Sequence, residues 1–315
     1  MADASKSTIL CAFDSAAIAQ AAALVAAGQP VAVPTETVYG LAADARNAAA
    51  VARIYAAKGR PDFNPLIVHV PNRAAAEELG VFGAAERALA ARFWPGPLTL
   101  VVPRTADCPV ASIATAGLDT IALRMPGHRA MQALLAESGA PLAAPSANAS
   151  GRVSPTKASH VLASLDGRIA LVIDDGPTTA GVESTIARVK DGAIEILRPG
   201  PVTAEMLAEA SGLAVTGVRG SEIVAPGMLA SHYAPGKPVR LGAVGFADDE
   251  FGIGFGTVAG DYDLSASGDL TEAAARLFDA LHAGAASAKA RIAVAVIPAD
   301  GLGAAINDRL GRAAA

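Results

Sequence analysis

Short β-branched runs alternate with alanine-rich stretches of helical length from residue 16 to about residue 205, and this alternation restricts the chain to an α/β or α+β architecture. Residues 16–27 predict a helix that closes at Gly28, with Pro30 beyond. Val31-Ala32-Val33 then begins a strand that Pro34 breaks. Residues 46–58 predict a second helix, capped by Asn47. Leu66 to Val70 is short, apolar and β-branched, the pattern of a buried strand. Helices follow over 73–79 and 84–93, strands over 98–102 and 120–124, and a helix through Glu137. Residues 170–173 and 185–189 read as strands, and Asp191-Gly192 as a hairpin turn leading to 194–197.

Beyond residue 205 the pattern stops. Residues 211–237 hold many glycines and prolines, including Pro226-Gly227 and Pro235-Gly236, and read as a linker. After Pro238 it resumes, with a glycine-interrupted strand at 251–255, a helix over 271–285 and a buried strand at 292–297. The expected domains are therefore 1–210, a linker at 211–237, and a smaller α/β unit at 238–315. A length of 315 residues and 52% hydrophobic content are ample for two cores.

A formal net charge of −5 and 4% aromatics argue against a dedicated nucleic-acid binder. Cys11 and Cys108 are too few and too far apart for a disulfide scaffold or a C-x-x-C metal site. The N-terminus lacks the basic start and longer apolar core of a signal peptide, and no apolar run reaches the ~20 residues of a membrane span. The expectation is a cytoplasmic protein.

Charged residues make up only 17% of the chain, so places where polar chemistry gathers stand out. Lys58-Gly59-Arg60-Pro61, followed by Asn64-Pro65, supplies fixed positive charge. A guanidinium binds phosphate oxygens in pairs and an ammonium adds a point charge, although cations also belong at a helix C-terminus. Pro145-Ser146-Ala147-Asn148, with Gly151, Arg152 and Ser154-Pro155, supplies hydroxyls, an amide and a helix start, with Ser154 as cap. Free amides at such a start favour an anion, so the two segments together have the parts to hold a polyphosphate. The segment Pro34 to Leu41 carries Thr35, Glu36 and Thr37, which suit an amino acid's ammonium and hydroxyl or serve simply as a capping turn. Gly181 to Ile186 follows Asp174-Asp175-Gly176-Pro177; acidic residues near phosphate invite Mg²⁺, but these aspartates read better as a turn. His69, Arg124 and Arg198 stand in or at the ends of strands. There is no Walker A pattern, no dinucleotide glycine signature after a strand, no nucleophile elbow and no metalloprotease histidine pair.

Taken in order, these segments resemble the YrdC-like family, in the long form of the threonylcarbamoyl-AMP synthases with a C-terminal extension. The resemblance runs through Pro34 to Leu41, Lys58 to Pro61 with Asn64 to Ile67, Phe93 to Thr99, Arg124-Met125-Pro126, Pro145 to Asn148, Ser184-Thr185 and Arg198-Pro199-Gly200. Ser231-His232-Tyr233-Ala234-Pro235 and Gly301 to Leu310 match the long form. The resemblance implies a twisted α/β domain with a large concave cavity and a smaller C-terminal Rossmann-like α/β domain. It implies a nucleotidyltransferase that makes threonylcarbamoyl-AMP and pyrophosphate from L-threonine, bicarbonate and ATP. Downstream transferase proteins then pass the threonylcarbamoyl group to tRNA. It places Lys58 and Arg60 as catalytic residues, in an ATP site with Asn64, Thr120, Ser146, Asn148, Ser154, Arg198 and Tyr233. It assigns threonine to Thr35, Thr37, His69, Arg124, the Ala144 backbone and Ser184, and brings Mg²⁺ in on the ATP phosphates without direct protein ligands. The linker is expected to fold over the cavity. An RNA-binding module is the alternative; a carbamoyl-transfer domain of the hydrogenase-maturation kind is disfavoured because its zinc-finger cysteines and acylphosphatase-like segment are missing.

Overall fold

The computed structural model describes residues 7–60, 64–217 and 232–315. The larger sheet is built from β1 (Ile9–Ala12), β2 (Val31–Pro34), β3 (Tyr39–Asp44), β4 (Ile67–His69), β5 (Leu98–Pro103), β6 (Thr120–Arg124), β7 (Leu142–Ala143), β8 (Leu171–Asp174), β9 (Thr185–Lys190), β10 (Ala193–Arg198) and β11 (Val215–Gly217). Their spatial order is β1-β8-β2-β3-β7-β4-β6-β5-β9-β10-β11, with parallel and antiparallel neighbours mixed. Helices α1 (Ser15–Ala26), α2 (Ala48–Lys58), α3 (Arg73–Leu79), α4 (Ala84–Phe93), α5 (Arg129–Ser138), α6 (Ala158–Leu165) and α7 (Ala204–Ser211) belong to the same domain. The second domain has β12 (Val239–Ala243), β13 (Glu250–Gly254), β14 (Tyr262–Asp263), α8 (Leu270–Ala286), β15 (Arg291–Ala295) and α9 (Leu302–Ala313). Its sheet, in the order β12-β15-β13-β14, is entirely parallel, with α8 as the crossover from β14 to β15.

Local chemistry fixes several of these boundaries. Asn47 accepts from the amides of Ala49 and Ala50 at the start of α2, and Gly59 closes that helix with φ +60°, a left-handed conformation. Asp191 and Gly192 both have positive φ, the requirement of the tight hairpin that joins β9 to β10. The strand period of two sorts β4 and β6. Val68 and Leu123 enter the main core, while Ile67, His69 and Arg124 face a cavity on the other side.

The domains share a core. Val38, Val153, Val182 and Tyr233 pack in one cluster with Ala274, Leu277, Phe278 and Leu281 of α8. At Gly181, φ is +69° and a Cβ would lie 2.2 Å from the Ala274 carbonyl oxygen, so only glycine lets the two backbones meet.

Some expectations need correction. Ser154-Pro155 does not start a helix: α6 begins at Ala158, with Lys157 in the cap position. The Ser154 hydroxyl instead donates to Glu183, and the Pro155 carbonyl accepts from the Tyr39 amide, which holds the segment off the helical path. The segment after Pro34 is more than a turn, because Tyr39 to Asp44 returns as β3 against β2. Residues 211–237 are not linker throughout, since β11 joins the larger sheet beside β10. Pro61, Pro226-Gly227 and Ser231 lie outside the described residues.

Candidate active site

The cavity opens between the β2–β3 connection, the ends of β4, β6 and β10, and the segment that enters the second domain. Ile67 and His69 come from β4, and Arg124 sits directly opposite His69 on β6.

One wall carries hydroxyls and a guanidinium. Thr35 and Thr37 are buried, with their hydroxyl oxygens 2.8 Å apart. Arg124 donates to Thr37 Oγ1 at 3.0 Å and to the Gly96 carbonyl at 3.2 Å, and pairs with Glu36 at 2.8 Å. Although burial opposes it, Arg124 holds the Glu36 carboxyl below its ordinary pKa. Burial, reinforced by Arg124, pushes His69 down to about 3, so its ring is neutral. Ala144 and Ser146 line the cavity as well, and the Ser146 carbonyl is bonded to Lys58.

The other wall carries cations. Lys58 is buried at the end of α2, where its ammonium donates to the carbonyls of Ser146 and Asn148. An ammonium has three donors, so one remains for a ligand. Burial and the nearby Arg60 drive the Lys58 pKa well down. Arg60 lines the cavity and leans on the carbonyls of Asn64 and Pro65. Buried polar atoms are normally paired, yet Arg60 Nε, Asn64 Oδ1 and Asn148 Oδ1 have no hydrogen-bond partner among the described residues. Arg198 donates to the Ser184 carbonyl at 3.1 and 2.9 Å and to its hydroxyl at 3.1 Å. Burial lowers the Arg198 pKa to about 10, still cationic at neutral pH.

The predicted residues do not all reach the cavity wall. Lys58, Asn64, Asn148, Ser154 and Ser184 form a layer behind it, bonded to or beside wall residues. Thr120 shares its face of β6 with Arg124 but starts the strand about 13 Å away, and it does not line the cavity. Tyr233 does line it, with φ +64° and its ring stacked 5.4 Å from Phe278.

Two wall residues were not singled out from the sequence. Glu183 accepts from Ser154 at 2.5 Å and from Arg309 of α9 at 2.9 Å, and its pKa falls to about 2 because those partners and Arg198 outweigh its burial. His232 precedes Tyr233, and burial lowers its pKa to about 4. The signals were a carboxylate inside Gly181-Val182-Glu183-Ser184 and an aromatic pair in an otherwise aromatic-poor chain. Asp174 ends β8, where it accepts from the Tyr39 hydroxyl and the Gly176 amide, and Asp175 just beyond it pairs with Arg129, so the pair is not the turn expected.

A family model described as "Telomere recombination" and covering Sua5, YciO and YrdC matches residues 23–200, and one described as "Threonylcarbamoyl-AMP synthase, C-terminal domain" matches residues 202–315. A threonylcarbamoyl-AMP synthase of Bacillus subtilis is 48% identical over 229 residues, 71% of this chain and 66% of that protein. The match thus spans just under two thirds of this relative's length. Sua5 of Pyrococcus abyssi complexed with L-threonine superposes with a TM-score of 0.88 at 37% identity, covering 98% of each chain. Escherichia coli YciO shares the first domain's fold, with a TM-score of 0.53 at 18% identity over 61% of this chain and 96% of that one.

Proposed function

The chain belongs to the Sua5, YciO and YrdC family, and on that footing we propose that it joins L-threonine, bicarbonate and ATP into threonylcarbamoyl-AMP, releasing pyrophosphate. The observation that carries this reading is that one cavity gathers hydroxyls and a buried guanidinium, from Thr35, Thr37 and Arg124, together with the further cations Arg60 and Arg198. The curated relative's name and the threonine complex of Pyrococcus abyssi Sua5 support the same two substrates.

In this reading Arg124 takes the threonine carboxylate, sharing its guanidinium with Glu36, while Thr35 and Thr37 receive polar groups of the substrate. A neutral His69 beside a fixed cation favours the free amine over the ammonium, which the amine must be to add CO₂ from bicarbonate. The resulting carbamate oxygen attacks the α-phosphorus of ATP, and the bond to pyrophosphate breaks. Such chemistry depends mainly on positioning and charge neutralisation. Lys58 and Arg60 stabilise the departing pyrophosphate, with Asn64, Ser146, Asn148, Ser154, Arg198 and Tyr233 around the nucleotide. Thr120 reaches it only if the nucleotide extends along β6.

Mg²⁺ accompanies the ATP phosphates in this proposal. The carboxylates at the cavity, Glu36 and Glu183, are each committed to an arginine, and no cluster of three or more His, Cys, Asp or Glu among the described residues forms a metal site. The chain's own residues therefore do not fit a direct ligand set. The product passes to proteins that modify tRNA. No helix among the described residues is long and apolar enough to cross a membrane.

The test is pyrophosphate release from ATP with each co-substrate omitted in turn. Release should require both threonine and bicarbonate; release indifferent to threonine would overturn the proposal.

A further inference from the structure

We propose that Arg309, on the last helix of the second domain, is a positioning residue for the nucleotide half of the cavity. It neutralises Glu183 and braces Tyr233, so that a carboxylate on the wall does not repel a polyphosphate. The inference rests on the functional reading above.

Arg309 is completely buried, and its Nε meets Glu183 Oε2 at 2.9 Å. Its Nη1 donates to the Pro199 carbonyl at 2.7 Å, beside the Arg198 end of β10, and to Asp308 at 2.9 Å. Asp308 is balanced in turn by Arg312 at 3.0 Å, which leaves the Arg309 charge for Glu183. The guanidinium also lies 5.7 Å from the Tyr233 ring centroid, in cation–π range. One turn further along α9, the Arg312 carbonyl accepts from the His232 amide at 3.3 Å, so the same helix holds the backbone before Tyr233.

Glu183 lines the cavity and is buried, being 6% exposed. Its charge would oppose every phosphate brought to Lys58, Arg60 and Arg198. Coulomb forces are poorly screened in such a site, so the opposing charge has to be cancelled locally. The cation that cancels it comes from the second domain. That domain therefore contributes to ATP binding without lining the cavity.

The test uses the full chain. Arg309→Met should raise the KM and the equilibrium Kd for ATP at least about tenfold, the cost of leaving a buried charge unpaired. The KM for threonine should change less than about threefold, because the hydrogen bonds of Arg309 run to Glu183, Pro199 and Asp308 and not to Arg124, Thr35 or His69. Adding Glu183→Gln to that variant should bring ATP affinity back to within about threefold of wild type, since both partners of the opposing pair are then neutral. Arg309→Lys should retain most of the ATP affinity, and it serves as the comparison if Arg309→Met does not fold. A purely packing role would shift both KM values together and give no rescue; that result overturns the proposal, as does a tenfold loss in Arg309→Lys. Binding of ATP alone by calorimetry separates the two readings. A wild-type chain that fails to bind ATP sinks the functional proposal, whereas equal binding by wild type and Arg309→Met sinks only this one.

Discussion

Among the described residues, Lys58 has two carbonyl oxygens for partners and a guanidinium for a neighbour. Its folded pKa lies well below the unfolded value because burial disfavours the ammonium, so Lys58 subtracts stability at neutral pH. An anion reverses that effect. Lys58→Met should therefore leave Tm unchanged or raise it while turnover falls by about a hundredfold or more. A thermal shift assay beside the pyrophosphate assay checks both halves. A variant that is inactive because it unfolds would show that Lys58 is structural. The residue types at this site were legible in the sequence: Lys58, Arg60 and Arg124 gather where few other charges exist. Glu183 was harder to read, because its partner Arg309 is 126 residues away and belongs to another domain.

At the level of elements, local chemistry was a good guide wherever it acted within a few residues. The Asn47 cap, the Gly59 stop and the Asp191-Gly192 hairpin stand as the sequence indicates. Ser154-Pro155 misled because a tertiary partner captured the serine, and a cap needs a free hydroxyl. Strand β7 has two residues, too few to carry a periodic pattern, and β3 was hidden behind the hydroxyl-rich turn before it. Helix α8 docks against the first domain at Gly181, where a side chain has no room. Gly181→Ala combines a backbone clash with a disfavoured φ and should cost about 1–3 kcal/mol. The expected signs are a Tm lower by several degrees and faster proteolysis between the domains. An unchanged Tm would mean that the docking seen here is not what stabilises the chain.

Across the whole molecule, the two domains meet through half-buried histidines as well as apolar groups. His282 of α8 stacks on His160 of α6 with centroids 3.8 Å apart, and its Nε2 lies 3.1 Å from the Ser154 carbonyl. Asp279 faces the pair, held by Lys157 at 2.7 Å and Tyr262 at 2.8 Å. Burial and His160 lower His282 to about 4, and burial lowers His232 to about 4 as well. Both folded values lie below the ordinary histidine value, so the unfolded chain binds the extra protons. Stability is complete above about pH 6.5 and is lost as pH falls towards 4, by roughly 2 kcal/mol per histidine at pH 5. Glu183, held at about 2, adds a further loss below about pH 4.5. Tm should therefore drop between pH 7 and pH 5, and His282→Gln should blunt the drop; a flat Tm over that range would contradict the neutral state of these rings.

The two-walled cavity makes its sharpest commitment about bicarbonate, because an enzyme that merely activated threonine would also release pyrophosphate. Radiolabelled bicarbonate supplied with threonine and ATP should be recovered in an adenylate, in a one-to-one ratio with pyrophosphate. Pyrophosphate formed with no label in the adenylate would contradict the account.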